Sequence, residues 1–108
     1  MIIHFAIIIL SAKMDITNED ALGWACEEGK LDMVEYITSK YMTIDDIRAN
    51  NNRILRCACR GGNVNVVKYL ISFGLSVDDI RTNDNQALQI ACEYSFFDIL
   101  QYLVNIIK

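Results

Sequence analysis

Apolar residues recur along most of the chain at the three- and four-residue spacing of amphipathic helices, and they do not alternate as in a half-buried strand. In residues 21–26 they occupy positions i, i+1, i+4 and i+5, which lie on one face of a helix. A second run with the same spacing starts at Met33, and Gly29 stands between the two runs. The pattern predicts two short helices joined by a turn.

This helix pair repeats with a period of 33 residues. An Ala-Cys pair stands at positions 25–26, 58–59 and 91–92 without a gap in the register. The segment Asp45–Arg48 returns unchanged as Asp78–Arg81. Such a period is typical of a stacked array, because one helix pair cannot bury its own apolar faces. We therefore expect the units to stack side by side.

Short polar segments connect the predicted units. Thr43 and Ser76 each precede an aspartate by three residues, which is the signature of a capped helix start. The Asn-rich stretches 50–52 and 83–85 follow. Because Asn and Asp side chains bond to nearby backbone and tolerate left-handed conformations, these stretches are predicted to be turns. Gly74 is expected to end a helix.

The residues before the first unit have a different character. Residues 1–10 form an apolar run that only His4 interrupts, whereas a membrane-spanning helix needs roughly 20 apolar residues. No Lys or Arg precedes Lys13, so the basic start of a secretory signal is missing. We expect a cap on the core or a partial repeat here, with membrane attachment through residues 1–12 as the alternative. The predicted organisation is a segment at 1–16 followed by three units, at 17–49, 50–82 and 83–108.

Composition narrows the possible function classes. The chain of 108 residues is 53% hydrophobic, which is too apolar for a disordered segment, and its length fits one domain. The net charge of −4 disfavours nucleic acids and anionic membranes as partners, because both attract a basic surface. His4 is the only histidine, which leaves no Ser–His–Asp triad and no HExxH metal site. We expect no catalytic site, no metal and no cofactor, and we interpret the carboxylates as solvated surface.

The cysteines are predicted to be free thiols. Cys26, Cys59 and Cys92 occupy equivalent places in successive units, and packed helices lie about 8–10 Å apart. A disulfide needs Cα atoms within about 7 Å of each other. Cys57 and Cys59 point to different sides of one helix and make a poor chelate. We interpret the three equivalent cysteines as small core residues, and unpaired cysteines are typical of an intracellular, reducing compartment.

These features together resemble the ankyrin repeats. The likeness rests on the period, on Ala-Leu-x-x-Ala-Cys at 21–26 and 87–92, and on Gly-x-Val-x-Val-Val-x-Tyr-Leu-Ile at 62–71. The usual Thr-Pro-Leu-His segment is replaced, in the first unit by Asp20–Gly23, so regular β-hairpin tips are not expected. The Asp-Asp-Ile-Arg linkers and the Asn-rich tips resemble the ankyrin arrays of giant DNA viruses of amoebae.

The resemblance implies an all-α ankyrin-repeat solenoid that binds a partner protein without enzymatic activity. Members of the family bind partners with the concave surface of the first helices and with the neighbouring tips. Trp24 and Arg56 are of the residue types that dominate interface energetics, and Trp24 has the alternative role of folding onto the N-terminal segment. If the chain is viral, we expect a host protein as the partner, in the host cytoplasm. The expected binding surface comprises the outward positions of the first helices: Trp24, Glu27, Arg56, Cys57, Arg60, Gln89, Ile90 and Glu93, with Glu28 and Tyr94 beside them.

Two further features concern packing. Tyr36, Tyr69 and Tyr102 recur in the second helices, where each ring is predicted to lie against the neighbouring unit with its hydroxyl in water; a stripe for a partner is the alternative. In residues 96–107 the apolar positions cover more of the last helix than one neighbour can bury, which predicts self-association through this end or marginal solubility. A second interpretation of the whole chain therefore stays open, as a short remnant of a longer viral array without a dedicated partner.

Overall fold

The computed structural model describes residues 17–108, and every regular element within this range is an α-helix. The elements in chain order are α1 (Asn18–Glu27), α2 (Leu31–Tyr41), α3 (Ile44–Gly61), α4 (Val64–Phe73), α5 (Val77–Glu93) and α6 (Phe97–Ile107). The all-α class predicted from the helical spacing is confirmed. The predicted N-terminal cap at 1–16 and its alternative of membrane attachment lie outside the described residues.

Two helices, α3 and α5, each consist of two helical parts separated by a left-handed turn. Ala49 and Thr82 leave the helix with extended backbone, and the next three residues of each helix have φ between 57° and 61°. Few side chains other than those of Asn and Asp tolerate this region, because Cβ meets the backbone. The turns at 50–52 and 83–85, here called the tips, consist only of Asn and Asp. The turns predicted at these positions are confirmed.

Reciprocal caps fix the starts of α3 and α5. At α3 the Asp46 amide donates to Thr43 Oγ1, and the Asp46 carboxylate accepts from the Thr43 amide at 2.8 Å. At α5 the Asp79 carboxylate accepts from the Ser76 amide at 2.7 Å in the same arrangement. The predicted capped starts are confirmed. Gly74 ends α4, also as predicted, with a φ of 146° that favours glycine.

The helices form two layers. The front layer consists of α1 and the second halves of α3 and α5, and the back layer consists of α2, α4 and α6. Ala25, Ala58 and Ala91 are fully buried at equivalent places in the front layer, where their small side chains let the helices approach each other. A Cβ on Gly61 would lie 2.6 Å from two backbone carbonyl oxygens of α1. The front layer is therefore packed backbone against backbone at this point.

All four cysteines are free thiols. Cys26 and Cys59 are fully buried, as their core interpretation predicts. For Cys92 that prediction is wrong, because this residue is exposed. The reason is its place in the stack: α3 covers α1 and α5 covers α3, but no described helix covers the outer side of α5.

The repeated tyrosines pack against the core, which confirms their packing role. Tyr36, Tyr69 and Tyr102 are all partly buried and in contact with the core cluster. Tyr69 differs from the prediction in one respect, because its hydroxyl has a partner within the chain. It forms a 2.6 Å hydrogen bond with Oγ1 of Thr38, a fully buried residue. This bond joins α4 to α2 of the preceding unit.

The apolar face of α6 is only partly covered, as its width predicts. Ile99 and Leu103 are fully buried, whereas Phe97 and Val104 are exposed. In the back layer α4 covers α2 and α6 covers α4, but within the described residues no helix covers α6 in turn. Within the described residues, α6 therefore has exposed apolar side chains.

Candidate functional site

The predicted binding residues lie in the front layer, at sets of equivalent positions with one residue on each helix. Because the helices of this layer are neighbours, the structure brings the sets together on one side of the molecule. Six of the eight residues are exposed or partly exposed, and two are buried. The sets are Trp24, Cys57 and Ile90, then Glu27, Arg60 and Glu93, then Arg56 and Gln89.

For Cys57 and Ile90 the predicted exposure is wrong. Only 1% of Cys57 and 7% of Ile90 is exposed. A Cβ on Gly23 would lie 3.4 Å from the Cys57 sulfur, and Nη2 of Arg60 covers the same sulfur at 3.6 Å. Ile90 belongs to the core cluster. Both residues therefore pack inside the front layer and do not line its surface.

Burial sets the protonation state of the thiols in this layer. Burial raises the pKa of Cys59 to about 12, and burial together with the nearby Glu27 raises the pKa of Cys57. Both thiols are thus protonated at neutral pH, and it is the thiolate that attacks electrophiles or binds metals. Within residues 17–108, no three His, Cys, Asp or Glu side chains come together as a metal site requires. The cysteines of α3 are accordingly packing residues.

Two aromatic rings stand at opposite ends of the front layer. Trp24 is 50% exposed on α1, and Glu28 is exposed one helical turn later on the same face. Tyr94 occupies the position in the third unit that Glu28 occupies in the first, and it is also 50% exposed. Its ring lies 5.9 Å from that of Phe96. The charged residues Glu27, Arg60 and Glu93 cross the same three helices.

The charges between the two rings alternate in sign along one set of equivalent positions. Nη2 of Arg60 lies 3.2 Å from Oε1 of Glu27, which ties α3 to α1. Glu93 occupies the same position on α5, but it forms no ion pair or hydrogen bond within residues 17–108. Because Arg60 turns toward α1, the carboxylate on α5 is left to solvent.

Arg56 and Gln89 have a role that the sequence prediction missed. Nη2 of Arg56 donates to the carbonyl oxygen of Asn50 at 2.9 Å, and Nε2 of Gln89 donates to that of Asp84 at 2.7 Å. Each side chain therefore reaches back and satisfies a backbone acceptor of its own tip. The signal was present in the sequence, because both are long polar donors at equivalent positions just after an Asn-rich turn.

Glu19 and Asp20, whose carboxylates are predicted to be solvated surface, instead belong to a polar cluster that joins α1 to α3. Nη1 of Arg53 lies 3.0 Å from Oε2 of Glu19 and 3.2 Å from Oδ1 of Asp20. Nδ2 of Asn50 donates to the same Glu19 oxygen at 2.9 Å. Acidic and donor residues about one period apart were the signal for this contact. The cluster fixes the tip of α3 against the start of α1.

A second cluster joins α3 to α5 around Asp79. Nε of Arg48 lies 3.0 Å from both carboxylate oxygens of Asp79, and Nδ2 of Asn52 donates to one of them at 3.1 Å. Burial disfavours the charged carboxylate, but the hydrogen bonds from Ser76, Arg48 and Asn52 outweigh burial and hold the pKa of Asp79 below its ordinary value. Asp79 is therefore a charged, fully bonded link between the two helices.

Stacked helix pairs, joined by capped linkers and left-handed tips, define a helical repeat protein whose front layer is the candidate binding surface. None of the helices in the described part of the chain is long and apolar enough to cross a membrane. The front layer presents exposed aromatic and charged side chains, which are residue types that binding surfaces use.

The family model for ankyrin repeats matches residues 22–108 with three copies, and the chain belongs to this family. The predicted ankyrin solenoid is thereby confirmed. Comparison with curated proteins and with solved structures gives no significant match. Ankyrin repeats are generally protein–protein interaction modules, and the family is typically non-enzymatic.

Proposed function

We propose that this chain binds a partner protein through the front layer. The observation that carries the proposal is the pair of half-exposed aromatic rings, Trp24 and Tyr94, at opposite ends of this layer. Exposed aromatic side chains on a rigid surface supply most of the energy of many interfaces. Glu27, Arg60 and Glu93 are exposed or partly exposed in the same layer and provide polar residues for the rim of such an interface.

The test variant has to leave the packing intact. Arg56 holds a tip and Ile90 is buried, so substitutions there would disturb the fold. Trp24→Ala removes an anchor without touching either role. We expect the substitution to weaken partner binding by about 2 kcal/mol or more, roughly thirtyfold.

The matched control is Tyr41→Ala, because Tyr41 is an exposed aromatic residue, 44% accessible, at the end of α2 in the back layer. Affinity purification from a host-cell extract compares wild type, Trp24→Ala and Tyr41→Ala, with circular dichroism to verify that each is folded. The proposal is supported if Trp24→Ala fails to retain a protein that both wild type and Tyr41→Ala retain. Calorimetry with that purified protein then measures the affinity. Equal retention by both variants refutes the use of the front layer.

The likeness of the linkers and tips to giant-virus arrays supports a narrower proposal about the partner. Under it, the partner is a host protein that the chain meets in an intracellular, reducing compartment. The four free thiols fit such a compartment. An extract of amoebae, with extracts of unrelated cells for comparison, is the appropriate test, and a partner found equally in all of them would contradict the narrower proposal.

A second candidate is a short remnant of a longer array without a dedicated partner. The exposed Phe97 and Val104 on α6 favour it, because the last repeat of a stable array normally turns a polar face outward. The same residues support self-association through this end of the stack. Sedimentation at increasing concentration tests the association, and a monomer throughout would contradict it. A folded wild-type chain that retains no protein from any extract would favour the remnant.

A further inference from the structure

We infer that the partner presents a basic segment to the front layer, held by Trp24 and Glu28 at the end of α1 and by Glu93 and Tyr94 at the end of α5. This inference rests on the proposed function, since it names the chemistry of the partner for the same surface. It follows from which charged side chains are paired within the chain and which are exposed without a partner.

The arginines of the front layer are engaged within the chain. Arg53 is paired with Glu19 and Asp20, and Arg60 is paired with Glu27. Arg56 donates to the backbone of its own tip. An acidic partner would have to compete with these bonds, so it would gain little from the positive charge of α3.

One exposed carboxylate on each side of α3 has no partner within residues 17–108. Glu28 and Glu93 are exposed, and neither forms an ion pair or hydrogen bond within residues 17–108. The chain as a whole carries a net charge of −4. The unpaired charges of Glu28 and Glu93 are negative, which attracts a cationic side chain and repels an anionic one.

Each of these two carboxylates is close in the chain to an exposed ring. Glu28 follows Trp24 by one helical turn, and Glu93 directly precedes Tyr94. A guanidinium or ammonium group gains from lying over an aromatic face, and a carboxylate in the neighbourhood attracts the same cation. An exposed ring and an unpaired carboxylate occur together twice, once at the end of α1 and once at the end of α5.

The distance between the ring and carboxylate at α1 and those at α5 sets the spacing of the basic residues in the partner. One helix, α3, separates α1 from α5, and adjacent helices lie about 8–10 Å apart, which puts the two places about 16–20 Å from each other. An extended chain covers at most about 3.3–3.6 Å per residue. An extended partner segment should therefore carry two Arg or Lys residues about five or six positions apart.

Selection of random peptides displayed on phage against the full wild-type chain tests this inference. The enriched peptides should carry Arg or Lys at two such positions, and their affinity, measured by fluorescence anisotropy, should fall as salt rises. Glu28→Gln combined with Glu93→Gln should weaken binding by about tenfold. Glu35→Gln is the matched control, because Glu35 is an exposed carboxylate on α2 in the back layer and should leave the affinity unchanged.

The other outcomes separate this inference from the proposed function. Uncharged or acidic peptides that require Trp24 would overturn the basic partner and leave the front layer as the binding surface. Peptides that bind Trp24→Ala and the double variant as tightly as they bind the wild type would overturn both the inference and the proposed function. A selection that enriches no peptide dependent on Trp24 would overturn the inference as well.

Discussion

Asp79 joins α3 to α5, and its removal gives a quantitative test of how the stack is held together. Asp79→Ala deletes the cap on Ser76, worth about 1 kcal/mol, and the bonds from Arg48 and Asn52. Hydrogen bonds to a charged group contribute about 1.5–3 kcal/mol each. The Arg48 side chain is 38% exposed and can be hydrated again, and Asn52 keeps its bond to Thr82. We therefore expect a loss of about 2–3 kcal/mol in the free energy of unfolding.

Asp46→Ala is the matched control. Asp46 stands at the equivalent position in α3 and caps Thr43 in the same way, but within residues 17–108 its carboxylate forms no bond to another helix. Its removal should cost the cap alone, about 1 kcal/mol. In urea unfolding followed by circular dichroism, a slope of about 1.5 kcal/mol/M converts these losses into midpoint shifts of about 1.3–2 M and 0.7 M. Equal shifts for the two variants would refute the energetic link that the structure assigns to Asp79.

Gly61→Ala should lower stability by about 1–3 kcal/mol in thermal unfolding, because two backbone carbonyls leave no room for a Cβ. Gly23→Ala, whose Cβ would meet side-chain atoms at 3.4 Å or more, should change stability by less than about 1 kcal/mol, and equal effects would contradict the packing. A thiol reagent should modify Cys92 in the folded protein and the three buried thiols only on unfolding; a second fast thiol would contradict the burial. Because the pKa of Asp79 is lowered by folding, the unfolded chain binds its proton more tightly. The stability that this group supplies is therefore present above the ordinary aspartate pKa of 3.8 and is lost as the pH falls through the lower, folded value. Acid titration of wild type and Asp79→Asn measures this loss, which should be smaller in the variant.

The fold could be predicted from the sequence because its determinants are local or repeated. Helical spacing placed the core residues, and the period showed that three similar units stack. Thr43 and Ser76 indicate capped helix starts, and the Asn-rich stretches indicate left-handed tips. Each of these signals depends on residues close together in the chain, so no tertiary information was needed. Cys92 is the exception, because its exposure depends on whether another helix follows in the stack.

The binding surface could be predicted only in part. Periodicity identifies equivalent positions, but it does not show what covers them. Cys57 is buried because Gly23 on the neighbouring helix has no side chain and Arg60 lies over the sulfur. The role of Arg56 depends on the path of the left-handed tip, which brings a carbonyl oxygen within its reach. The neighbouring helix decided the first case and the conformation of the tip decided the second, and a single sequence contains neither explicitly.

In both polar clusters the donors lie on α3 and the acceptors lie on the neighbouring helix. This arrangement affects the order in which the units stack. The middle helix α3 donates on both sides, through Arg53 to the carboxylates of α1 and through Arg48 and Asn52 to Asp79 of α5. A period of 33 residues makes the apolar faces interchangeable, so the array could in principle slip by one whole unit or exchange units between two molecules. Such a slip would set α1 against α5, which has Gln86 where α3 has Arg53, and the ion pairs would be lost. The polar contacts therefore favour the order α1, α3, α5 in the stack over a shifted order.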